Sequence, residues 1–122
     1  MSEDGPRRLT VAVVGPCAAG KSTLVPVLRR AGYNARHVAQ EHSYVKDMWQ
    51  RFARPDVLIY LDVSYEVACQ RRALHWRPED LAEQVERLSH ARQHCDLYLH
   101  TDDLDIEQVL AQVVAFLEEW QK

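Results

Sequence analysis

The chain has 122 residues, of which 47% are hydrophobic and 27% charged, with a net charge of −3. That length suits one domain, residues 1–122, around one core, and that composition argues against disorder. No surplus of Lys and Arg exists to neutralise a phosphate backbone, so no nucleic-acid partner is expected. No apolar run approaches the ~18 residues of a membrane span, and Met1–Arg8 lacks the apolar stretch of a signal peptide. Cys17, Cys69 and Cys95 cannot all pair and show no CxxC spacing, so free thiols in a cytoplasmic setting are expected. Nothing in the sequence fixes an oligomeric state.

Residues 1–8 read as a polar, frayed lead-in. Leu9 to Val14 is a short apolar run stopped by Gly15-Pro16, the pattern of a strand buried on both faces. Lys21 to Ala31 reads as a helix with Leu24, Val27, Leu28 and Ala31 on one stripe and a bend expected at Pro26. Ala35 to Gln40 is a shorter strand, and Tyr44 to Phe52 a short helix ending before Pro55. Val57 to Asp62 is the clearest strand. Ser64 is placed to cap a helix running to about His75, and Pro78 opens another that continues through Leu81, Val85 and Leu88 toward Arg92. Leu97 to Thr101 is a fourth strand. Asp105 and Gln108 have capping-box spacing for a last helix, whose stripe runs from Ile106 through Val109, Val113 and Leu117 to Trp120 as core. Strands alternating with helices give an α/β fold with a mainly parallel sheet of about four strands, and ligands then sit beyond the strands' carboxyl ends.

Gly15-Pro16-Cys17-Ala18-Ala19-Gly20-Lys21-Ser22 matches G-x-x-x-x-G-K-[ST] between a strand and a helix. Glycines let backbone N–H groups close around a phosphate, and the helix N-terminus adds partial positive charge. Within this loop, Gly15 to Thr23, Lys21 is expected to reach the β- and γ-phosphates and Ser22 to ligate Mg²⁺. Asp62 ends an hhhhD run and is a candidate for the metal. Glu41 follows the second strand. If that strand lies beside the first, Glu41 faces the γ-phosphate as a metal or catalytic carboxylate; otherwise it is a solvated strand-end acid. His90, His94 and Cys95 have metal-like spacing but no fourth ligand, so no zinc is expected there.

These residues resemble the P-loop nucleoside and nucleotide kinase families, over Leu9 to about Trp120. Arg54-Pro55-Asp56-Val57-Leu58-Ile59-Tyr60-Leu61-Asp62-Val63 is similar to a strand of thymidylate-kinase-like enzymes and is followed, as there, by a helix ending in Arg71-Arg72. Cys95-Asp96-Leu97-Tyr98-Leu99-His100-Thr101-Asp102 is similar to the final strand of small kinases. The resemblance implies a three-layer α/β/α P-loop NTPase fold, ATP and Mg²⁺ as cofactors, and a kinase moving the γ-phosphoryl group to a small-molecule acceptor. It implies a short lid over residues 71–77 whose arginines, Arg72 or Arg77 above all, meet the nucleotide. It also implies an adenine site at the loop holding Asp102. The family commonly has five strands and a substrate-binding insertion, and its Asp-Arg acceptor motif has no counterpart here. The acceptor therefore stays open, as does the alternative of a nucleotide-binding or slowly hydrolysing module without one. The absence of D-x-x-G and [NT]KxD speaks for adenine over guanine.

Overall fold

The computed structural model describes residues 9–72 and 75–121, so the lead-in expected over residues 1–8 lies outside them. Four strands, β1 (Thr10–Val14), β2 (Asn34–His37), β3 (Val57–Asp62) and β4 (Leu97–His100), form one sheet in the order β2-β1-β3-β4. Every pairing is parallel, with Val11 opposite both Ala35 and Val57, and Ile59 opposite Leu97. The two central strands are buried on both faces, which explains their unbroken apolar runs.

The two-residue period of β3 sorts its side chains. Val57, Ile59 and Leu61 face one layer, and Leu58 and Tyr60 the other. The first layer is built by Leu24, Val25 and Leu28 of helix α1 (Lys21–Arg30) and by Val109, Val113 and Leu117 of α6 (Ile106–Trp120). The second is built by Trp49 of α2 (Met48–Ala53), by Leu88, and by Ala91 of α5 (Ser89–His94). Each fully buried aliphatic side chain here contributes roughly 1.5–3 kcal/mol. The longest helix, α6, has 15 residues, or roughly 22 Å at 1.5 Å per residue. Among the described residues no helix is long and apolar enough to cross a membrane.

Several boundaries differ from the sequence expectation. Helix α1 runs through Pro26 without a break; Pro26 is exposed, so the carbonyl it leaves unpaired is near solvent. Strand β2 stops at His37, and Gln40–His42 form a 3-10 turn. Helix α3 covers Tyr65–Arg72, with Ser64 Oγ accepting from Val67 N–H at 3.3 Å, and ends short of His75. Pro78 holds Arg77 extended and opens α4 (Pro78–Arg87), which separates from α5 at Leu88. The Asp105–Gln108 capping box forms in both directions. Trp120 is 44% exposed, which corrects its assignment to the core. It is the last residue of α6, and its ring lies 5.8 Å from that of Phe116.

Candidate functional site

The chain leaves β1 toward one face of the sheet, through α1, and leaves β2 toward the other, through the 3-10 turn and α2. The carboxyl ends of two neighbouring strands therefore diverge, and a crevice opens between them. Gly15 begins its wall. A Cβ there would lie 2.0 Å from the Leu61 carbonyl oxygen, so only glycine fits against β3. The loop closes at Gly20, whose φ of +109° places the left-handed residue that starts α1. Among the described residues, the N–H groups of Gly20, Lys21 and Ser22 meet no protein acceptor. They are the unpaired donors of a helix N-terminus and aim its positive end at the crevice.

Lys21 is 5% exposed. Its Nζ donates to the Gly15 carbonyl, to the Pro16 carbonyl at 3.2 Å and to Glu41 Oε2 at 2.7 Å. Glu41 reaches it from the 3-10 turn after β2, so the condition set by the sequence is met: the second strand lies beside the first. Glu41 is buried, and its Oε1 has no hydrogen-bond partner. A buried acceptor left unpaired costs about 1–3 kcal/mol, and more when charged. Neighbouring Gln40 is fully buried and structural. Its amide donates to the Val45 carbonyl at 2.8 Å and its oxygen accepts from Trp49 N–H at 2.9 Å, fixing the turn that carries Glu41.

Gly20, Lys21, Ser22 and Glu41 line a cavity of about 650 Å³, together with Cys17, Ala18, Ala19, Thr23, His37, Ala39, His42, Arg71, Arg72, Thr101, Leu104, Asp105 and the start of α6. That volume is in the range of small-molecule and cofactor sites. Arg71 bridges two of its walls, donating to the Ala18 carbonyl at 3.0 Å and to Thr101 Oγ1 at 3.0 Å. Thr101 in turn donates to the Ala19 carbonyl at 3.0 Å and ties the end of β4 to the glycine loop. His37 sits on the opposite wall; burial, and then the Lys21 charge, push its pKa below the ordinary value.

The structure gathers Lys21, Ser22, Glu41 and Arg72 around this cavity and leaves three other candidates outside it. Asp62 shares the Tyr60 face of β3. Its Oδ1 accepts from Val63 N–H at 2.9 Å and its Oδ2 from the Tyr98 hydroxyl, so it is not placed to serve a metal at the loop. Burial and that contact raise the Tyr98 hydroxyl to about 12. Arg77 caps α4, with its N–H on Asp80 Oδ2 at 2.9 Å and its guanidinium beside Asp80 at 3.5 Å, and it does not line the cavity. Two residues of that expected lid, 73 and 74, lie outside the described residues. Asp102 does not line the cavity; its Oδ1 accepts from Ser64 N–H at 2.8 Å. Burial raises its pKa, but the Ser64 hydrogen bonds together with the His100 and Arg71 charges outweigh burial and hold the carboxyl below its ordinary value. Pro16 is a buried part of the loop wall.

Arg71, one of the lid arginines but not one of the two favoured there, makes the bridge between the walls. One contributor carries no sequence signal. Gln84 of α4 is buried, accepts from Cys17 N–H at 2.9 Å and donates back to Cys17 Sγ at 3.3 Å. The Cys17 amide is therefore already satisfied by protein. Trp49 is core, with its indole N–H on His90 Nδ1 at 3.1 Å, and His90 and His94 stack at 4.2 Å without a third metal-ligating side chain among the described residues. Comparison with protein-family models finds no match, and comparison with curated proteins finds none either.

Proposed function

We propose that the chain is a P-loop NTPase-type protein that binds ATP·Mg²⁺ on Gly15–Thr23 and passes the γ-phosphoryl group to a small-molecule acceptor. The observation that carries this reading is the pairing of Lys21 with Glu41 at the glycine loop, inside a nucleotide-sized cavity. Lys21 exchanges the Gly15 and Pro16 carbonyls for phosphate oxygens, which bear full charge and so attract it more strongly. The free amides of Gly20, Lys21 and Ser22 accept the remaining oxygens. The residues present fit Mg²⁺, which needs one or two protein oxygens. Ser22 opens α1 and is exposed, and Glu41 has an unpaired Oε1. Bound there, Mg²⁺ supplies charge neutralisation. The protein's own part is positioning, since phosphoryl transfer asks little covalent chemistry of it. The acceptor lies on the wall of His37, Ala39 and His42, and the base lies toward Arg71 and Leu104.

The second reading, a nucleotide-binding module without an acceptor, is favoured by one observation. A second cavity, of about 460 Å³, is lined by Pro55, Leu58 and Asp96 at the amino end of the sheet. An acceptor held there would be at the opposite end of the sheet from the glycine loop. Incubation with γ-labelled ATP, Mg²⁺ and a panel of nucleosides, nucleotides and sugars separates the two. Label on an acceptor is the expected result. Free phosphate alone supports the module, and no ATP binding at all sinks both.

Arg71→Ala is expected to weaken ATP binding about tenfold, a loss of ~1.4 kcal/mol, because the bridge between loop and β4 is lost with the base-side cation. Arg77→Ala is expected to change it less than about twofold, since its contacts are to its own helix. Calorimetric titration of both variants measures this, and equal losses would refute the assignment. In the same assay ATP is expected to bind several-fold more tightly than GTP.

A further inference from the structure

At the mouth of the glycine loop stand three side chains whose chemistry exceeds what phosphate or Mg²⁺ binding needs. Cys17 Sγ lies 3.8 Å from His42 Nε2, and His42 Nε2 lies 3.8 Å from Glu41 Oε2. One ligand atom from each of the three falls within 4.8 Å of the others. We propose that Cys17, Glu41 and His42 form a binding site for a thiophilic divalent cation of the Zn²⁺ class.

The distances suit such an ion. With Zn–S near 2.3 Å and Zn–N near 2.0–2.1 Å in a tetrahedron, sulfur and nitrogen stand about 3.6 Å apart. The present separation needs to close by only a few tenths of an ångström. His42 is exposed and Cys17 half-buried, so the first can swing and the second is reachable. The independent pointer is Glu41, a buried carboxylate whose Oε1 has no partner; its Oε2, 3.8 Å from His42, is held by Lys21, so the ion takes Oε1 or shares Oε2 and competes with Mg²⁺ for this carboxylate. The Gln84 side-chain amide, donating to Cys17 Sγ at 3.3 Å, is the outer contact a metal-bound thiolate requires. The Cys17 thiolate offsets one of the ion's two charges; the Glu41 carboxylate already faces the Lys21 ammonium, so the other charge stays uncompensated until an anion takes an open position. Lys21 opposes its entry, and an open fourth position remains for water or a phosphate oxygen. A sulfur and an imidazole select this class over Mg²⁺, which takes oxygen. On binding, the Cys17 thiol releases its proton to solvent, so affinity falls as pH falls.

The test uses the full chain without nucleotide, so its outcome is independent of the phosphate-loop reading. Co²⁺ serves as the spectroscopic probe and Zn²⁺ competes against a chromophoric chelator. The wild type is expected to give a thiolate-to-cobalt charge-transfer band, reversed by Zn²⁺, with Zn²⁺ bound far more tightly than Mg²⁺. Cys17→Ser abolishes the band, and His42→Ala lowers Zn²⁺ affinity at least tenfold. Cys95→Ser and His94→Ala leave both unchanged. Circular dichroism confirms that each variant is folded; the positions of Cys17 and His42 outside the core make that the expected result. The proposal is overturned by a band that survives Cys17→Ser, by affinity unmoved in His42→Ala, or by Zn²⁺ bound no better than Mg²⁺.

Discussion

Lys21→Ala is expected to lower the stability of the fold by about 3–5 kcal/mol and to weaken ATP binding at least a hundredfold, ~2.7 kcal/mol. The two losses have different origins. Lys21 and Glu41 have side chains only 5% and 4% exposed. Removing the ammonium leaves a carboxylate in the interior with neither solvent nor counter-charge, the situation in which breaking a buried pair is most costly. The ATP loss comes from the missing charge at the phosphates. Glu41→Gln added to Lys21→Ala removes the stranded charge. The double variant is expected to recover most of the stability and none of the affinity. Urea unfolding gives the first quantity and calorimetric titration the second. Recovery of ATP binding in the double variant would refute Lys21 as the phosphate ligand. A single variant as stable as wild type would refute the buried ion pair.

What was readable in the sequence was what local spacing determines. The glycine loop, the β3 run and the Asp105–Gln108 box each depend on residues within a few positions of one another, and each is found where expected. Glu41 was readable only conditionally, because its meeting with Lys21 requires β2 to lie beside β1, a property of the whole sheet. Gln84 and Arg71 act on the loop across 67 and 53 positions, and no local pattern announces such a contact. The displacement of Asp62 did leave a signal. Strand side chains alternate, so Asp62 must share the face of Tyr60 and Leu58, which packs under α5 and away from the helix that the loop opens. Reading the run for its face as well as its composition puts Asp62 on the Tyr60 side, where the structure has Tyr98 meeting it. Trp120 illustrates the opposite limit. Its spacing continues the apolar stripe of α6, yet the residue is 44% exposed, and periodicity carries no information about where the surface beneath a helix stops.

Gly15→Ala is expected to cost more than about 4 kcal/mol, a loss reserved for a few mechanisms such as severe overpacking. Folded chains of this size hold only about 5–15 kcal/mol in total. The added methyl would stand 2.0 Å from the Leu61 carbonyl oxygen, which belongs to the central strand β3. Neither partner is a flexible side-chain tip. To relieve the clash β1 and β3 must separate, and their pairing from Val11–Val57 to Val14–Tyr60 joins the two halves of the sheet. The same displacement would move Lys21, because its ammonium is held by the Gly15 carbonyl. Gly32→Ala isolates the steric term. Gly32 also has positive φ, +100°, but a Cβ there meets nothing within 4 Å. Its cost is confined to left-handed backbone strain, about 1–2 kcal/mol. Urea unfolding of the two variants side by side measures the difference, and an insoluble Gly15→Ala beside a folded Gly32→Ala is the same result in stronger form. Equal losses would mean that backbone conformation alone requires glycine at both positions. The close approach of the loop to β3, which aims its amides and Lys21 into the cavity, would then be wrong.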